Sequence, residues 1–97
     1  TKAVEVEPEN EAYLDSLGWA LFRSGDYARA VGYLEKASDR ENPDAVILDH
    51  LGDVYWKLLR HEEARQVWRR ASRAFEKTGN QEQLEKTDAK IRQESPD

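Results

Sequence analysis

One pattern occurs twice in this chain, 34 residues apart, and that duplication restricts the fold more than any other feature. The first copy places Leu14, Leu17, Gly18 and Leu21 ahead of Ala30, Leu34 and Ala37. The second places Leu48, Leu51, Gly52 and Tyr55 ahead of Ala64, Trp68 and Ala71. Asp15 matches Asp49 at the same offset, and Ser38 matches Ser72. Within each copy the apolar residues recur at steps of three and four, the spacing of one helix face. Two such stripes divided by a short polar break describe a helix–turn–helix unit. Units of this length repeated in register stack, each burying its apolar face on the next.

The breaks between stripes set the expected helix ends. Gly25 suits the left-handed residue after a helix, and Asp26 suits the cap that opens the next one. The expected helices run over 11–24, 27–39, 43–58, 61–77 and 80–93, with no strand. Asn42-Pro43 reads as a cap followed by the first helical residue. The turn at Leu59-Arg60-His61 carries leucine where the first copy has Gly25. In a left-handed conformation that leucine costs about 1 kcal/mol relative to glycine, and otherwise the turn differs in shape from the first. Glu62 and Glu63 open the fourth helix and Lys77 closes it, as the helix dipole prefers.

The last segment is polar, with a thin stripe of Leu84, Thr87 and Ile91. After a two-residue shift, Asp88 stands where the repeats keep glycine, so no further helix can approach closely there. Such a segment suits the solvated helix that ends an array.

Composition agrees with a thin stack rich in surface. Apolar residues make up 38% of the 97 and charged residues 36%. No apolar run approaches the 18 or so residues of a membrane-spanning helix, and no secretory apolar core opens the chain. The absence of cysteine removes disulfides, thiolate metal sites and cysteine nucleophiles. Thr1 in place of Met suggests a fragment of a longer protein, which leaves cytoplasm and cell envelope both open. The net charge of −5 argues against a nucleic-acid ligand. The charge is uneven: residues 1–50 hold 11 acids and 5 bases, and residues 51–97 hold 9 acids and 10 bases.

The Leu-x2-Leu-Gly-x2-Leu/Tyr helix followed by Ala-x3-Leu/Trp and Ala resembles the tetratricopeptide repeat. The resemblance implies an all-α, right-handed superhelix of two such repeats, over 11–44 and 45–78. Residues 1–10 would be the tail of a preceding repeat and 79–97 a capping helix with a frayed end. It implies a non-enzymatic interaction module without a cofactor, part of a longer repeat protein of a kind found in bacteria. In this family the first helix of each repeat lines a concave groove. Carried over by position, Asp15, Trp19, Phe22 and Arg23 would line it from the first repeat. Asp49, Asp53, Trp56 and Lys57 would line it from the second, with Ala12 and Val46 beside them.

That surface reads as aromatic and acidic, which favours a basic protein or peptide segment as the partner. The lysines and asparagines with which some members clamp a terminal carboxylate are replaced here by Asp15, Trp19, Asp49 and Asp53. A plainer reading has Phe22, Trp56 and Trp19 packing between repeats, and Trp68 sits at the family's buried aromatic position. Asp49 and Asp53, four apart on one face, could serve acid–base or metal chemistry, but no third ligand accompanies them. His61 should pack in the second turn. Arg65, Arg69 and Arg73 form a stripe that reads as a solvated convex face with local acid partners. The alternative function is structural: capping or weak self-association, for which Tyr13 and Ala20 would face a missing repeat. Among these residues there is no catalytic set and no phosphate-cradling loop.

Overall fold

The computed structural model of the protein describes residues 10–93. Five α-helices and no strand occur among them. They are α1 (Glu11–Arg23), α2 (Tyr27–Ser38), α3 (Ala45–Lys57), α4 (His61–Thr78) and α5 (Gln81–Arg92). Each packs on its neighbour in the chain, so consecutive helices form a layered stack. All but one of the tail residues expected over 1–10 lie outside the described residues.

Polar side chains set four of the five helix starts. Asn10, Asp26, Asp44 and Asn80 each accept a hydrogen bond from a backbone N–H of the first turn, at 2.8–3.3 Å. These bonds satisfy donors that the helix itself cannot. The third helix begins two residues later than the Asn42-Pro43 pair suggests. Asp44 caps it in place of Asn42, leaving Pro43 in the connection. A carboxylate that reaches the Val46 N–H at 2.8 Å makes the later start the better-satisfied one.

The turns within the two helix pairs, α1–α2 and α3–α4, have one shape despite their different sequences. After α1, the Gly25 N–H reaches the Phe22 carbonyl and the Asp26 N–H reaches the Leu21 carbonyl. After α3, the Leu59 N–H reaches Trp56 and the Arg60 N–H reaches Tyr55. Gly25 has φ +92° and Leu59 φ +65°, so leucine holds the left-handed position. Its side chain is 74% exposed and recovers little through burial. Leu59→Gly is therefore expected to raise stability by about 0.5–1 kcal/mol, the released strain less the extra entropy of glycine when unfolded. A urea titration checks it; an unchanged midpoint would mean that the turn carries no strain.

The core follows the repeated positions. Ala30, Leu34 and Ala37 from the first copy are fully buried, as are Ala64 and Ala71, and Trp68 is 1% exposed. Gly18 lies against Leu34 and the Ala30 carbonyl, and Gly52 lies against the Trp68 indole. A side chain at either glycine would occupy the space of its neighbour, which is why the helices approach closely there. The Trp68 Nε1–H donates to the Asp49 carbonyl at 3.2 Å, so the buried indole is satisfied. Tyr55, also buried, donates its hydroxyl hydrogen to Glu35 at 2.6 Å, tying α3 to α2.

Candidate binding face

The first helices of the two repeats and the final helix carry side chains that reach one another. His50 of α3 turns toward α1, where its Nδ1 lies 2.9 Å from Asp15 Oδ1. A carboxylate only accepts, so Nδ1 is the donor. The His50 ring stacks on Trp19 at 3.8 Å between centroids, and Trp19 stacks on Phe22 at 4.6 Å. Phe22 in turn meets Tyr27 at 5.4 Å. Asp15 and Trp19 are thus half-buried members of a contact between repeats.

The acidic pair of the second repeat has a partner in the chain. Lys90 of α5 places its Nζ 3.0 and 3.2 Å from the Asp49 carboxylate oxygens and 2.9 and 3.3 Å from those of Asp53. The Thr87 hydroxyl, fully buried, adds a hydrogen bond to Asp49 at 3.3 Å. Asp49 is 7% exposed. The expectation that Asp49 and Asp53 present free charge to a ligand is corrected here: α5 covers them and supplies the cation. The reason is electrostatic, since two carboxylates one turn apart beside a packed helix need a counter-charge. With Asp15 hydrogen-bonded to His50 as well, each of the three acids on which that expectation rested has a partner within the fold.

Titration follows the same geometry. Burial pushes the Asp53 carboxyl above its usual range, and the attraction of Lys90 offsets only part of that. At Lys90, burial alone would lower the pKa, but Asp53 and Asp49 together hold it above the usual lysine value. A simple ion pair would pull Asp53 down. It rises because burial outweighs the attraction of Lys90, and the neighbouring Asp49 carboxylate adds to the rise.

The remaining expected residues split in two. Phe22, Asp53, Trp56 and Lys57 border one open cleft of about 160 Å³, together with Trp68, Lys90 and Gln93. Its surface is largely apolar. Trp56 is half-buried, 5.6 Å from Trp68 and 4.1 Å from His61 between ring centroids. Arg23 is exposed at the end of α1, next to Phe22 in sequence but outside the cleft lining. Ala12 and Val46 are exposed at the other ends of their helices.

Three residues that matter here escaped the reading by position. Lys90 belongs to the final helix and Gln93 directly follows it, and His50 reaches Asp15 of α1. A signal for Lys90 existed: Lys86 and Lys90 are spaced as Asp49 and Asp53 are, four residues apart. Arg65 also departs from the solvated stripe. It donates to the Ile91 and Gln93 carbonyls at 3.3 and 2.8 Å and lies over the Trp56 ring. It therefore caps the end of α5, where carbonyls lack helical partners. Ser72 holds Asp88 of α5 at 2.6 Å. The described residues contain no group of three acids, histidines or cysteines able to hold a metal ion. No described helix is long and apolar enough to cross a membrane.

Comparison with known proteins agrees with this architecture. A family model described as "Tetratricopeptide repeat" matches residues 12–40, the first helix pair. A TPR repeat-containing protein of Pseudomonas aeruginosa is 43% identical over 52 residues, which is 54% of this chain. The match covers 9% of that relative, so the chain spans a small part of its length. Such repeats mediate protein–protein interaction and act as non-catalytic scaffolds. The duplicated 34-residue pattern, folded as stacked helix pairs, and these two matches support assigning the chain to the tetratricopeptide repeat family.

Proposed function

We propose that this segment binds a partner protein by taking one apolar side chain of an extended or helical segment into the cleft beside Trp56. One observation carries this reading. Aromatic rings from three helices, Phe22 of α1, Trp56 of α3 and Trp68 of α4, converge on an open apolar cleft of about 160 Å³. Cavities of about 150 Å³ accept a benzene ring, so the space suits a single phenyl or branched aliphatic group. Buried aromatic anchors of this kind dominate interface energetics.

The second reading, a structural cap, is favoured by Lys90. Its bonds to Asp49 and Asp53 make the acidic pair part of the attachment of α5. The two readings are compatible, because α5 closes the stack and supplies Lys90 to the cleft, with Gln93 just after it.

Binding through one anchor is weak, with Kd on the order of micromolar or above. Peptides with a single Phe, titrated against the 15N-labelled chain, should shift the amides around Phe22, Trp56 and Gln93. Phe22→Ala should weaken that binding by about tenfold or more, as loss of an anchor does. Shifts centred on Arg69 and Arg73 instead would place the binding face on α4 and sink the cleft reading.

A further inference from the structure

Each acid that makes this face look negative in sequence has a partner within the fold, whereas two cations beside it, Lys57 and Arg23, have none among the described residues. Asp15 is held by His50, and Asp49 and Asp53 by Lys90. Lys57, on the border of the cleft, is exposed and forms no ion pair or hydrogen bond among the described residues. Arg23, exposed at the end of the helix that supplies Phe22, is also without one. Resting on the cleft reading above, we propose that the partner segment is acidic: an apolar anchor flanked by aspartate or glutamate, with Lys57 receiving the carboxylate.

The chain's net charge of −5 opposes an acidic partner at long range. Salt screens such interactions beyond about 8–10 Å, so the preference is set by the charges at the cleft mouth. There the Asp53 carboxylate is already engaged by Lys90 at 2.9 Å. A lysine or arginine on the partner would meet Lys57 and find its acids occupied. A carboxylate on the partner meets an available ammonium. Exposed pairs are individually weak, and each changes affinity by no more than about fivefold.

The test uses the full chain and three peptides that differ only in design: a Phe flanked by acids, the same Phe flanked by lysines, and the acidic peptide with Ala for Phe. Amide shifts at Phe22 and Trp56 report binding. The acidic Phe peptide should bind tightest, about twofold to fivefold above the basic one, and the Ala peptide should show no saturating shift. Lys57→Glu should reverse the order of the two Phe peptides. Lys57 is exposed, so an unchanged melting curve shows that the fold persists. Equal binding of the acidic and basic Phe peptides, or an order that Lys57→Glu leaves alone, overturns the acidic partner while the cleft reading stands. If no Phe peptide shifts the cleft amides, the proposal and the reading it rests on fall together.

Discussion

Gly52→Ala should destabilise the protein by about 1–3 kcal/mol, although alanine is the better helix former. The added methyl would overlap the indole of Trp68. That indole is 1% exposed, sits in the main core and donates to the Asp49 carbonyl one turn away. It has no room to retreat without breaking its hydrogen bond and disturbing Val54 and Ala64 around it. Overpacking of this kind costs about 1–3 kcal/mol, against the roughly 1 kcal/mol that alanine gains over glycine inside a helix. Gly52→Val should exceed the alanine loss, since valine adds volume and lacks that propensity gain.

Two other glycines serve as internal controls. At Gly18 the nearest obstacle is the Leu34 side chain, at 2.8 Å from the new carbon, which can turn more readily than an indole. Gly18→Ala should therefore cost less than Gly52→Ala. Gly32, within α2, faces open space, and Gly32→Ala should stabilise by about 0.5–1 kcal/mol. Urea titrations of the three variants check the order. Gly52→Ala at or above wild-type stability would mean that the helices do not meet as closely as described.

Lys90→Met is expected to cost about 2–3 kcal/mol and to loosen α5. Methionine keeps the apolar stem and removes the charge. Asp49 and Asp53, with side chains 10% and 21% exposed, would then face each other without a cation. Breaking a fully buried pair costs about 3–5 kcal/mol, and the 31% exposure of Lys90 reduces that. The loss should concentrate in α5, where Thr87 is the one fully buried side chain. Amide exchange across α5 would accelerate more than that in α3 or α4. A loss below about 0.5 kcal/mol would put the contact in the class of surface pairs.

The same variant exposes a pH dependence. The folded-state pKa of Lys90 lies above its ordinary value, so the folded chain binds that proton more tightly than the unfolded chain. Its contribution is fully present below about pH 10.4 and is lost as pH rises through the folded value. Tyr55 acts in the same direction. Burial and its hydrogen bond to Glu35 raise its pKa, so alkali also favours the unfolded tyrosinate. Wild type should lose stability above about pH 10, and the gap to Lys90→Met should close over that range. Asp53, also raised, adds to stability as pH falls through the carboxylate range. A gap that stays constant from pH 7 to 11 would remove the ion pair from the energetics of folding.

Much of the architecture was present in local chemistry. Helix starts at Asp26 and Asn80 and stops at Gly25 and Gly79 depend on hydrogen bonds and φ preferences within a few residues, and such effects read directly from sequence. The duplicated Leu, Gly and Ala positions identified the stacking faces, because close helix approach demands small residues at fixed spacing. Trp68 was recognisable as core for the same reason. The start of α3 was less legible, since Asn42 and Asp44 both qualify as caps and only the path of the connection selects Asp44.

The state of the acidic residues was decided by tertiary structure alone. Asp15, Asp49 and Asp53 lie on one helix face by spacing, but spacing does not say what faces them. His50 and Lys90 reach them from helices 35 to 41 residues away in sequence. The conformation of Leu59 is a similar case: leucine strongly disfavours φ +65°, yet the packing of α4 on α3 imposes it. Local preferences of about 1 kcal/mol yield to a core that buries Trp68, Leu34 and Val54 completely. The 34-residue register in which the helix pairs stack is written in the spacing of the small and apolar residues. Which charges remain available on the resulting face was settled by contacts between distant helices, because counter-charges across an interface follow the three-dimensional register and not the spacing along one helix.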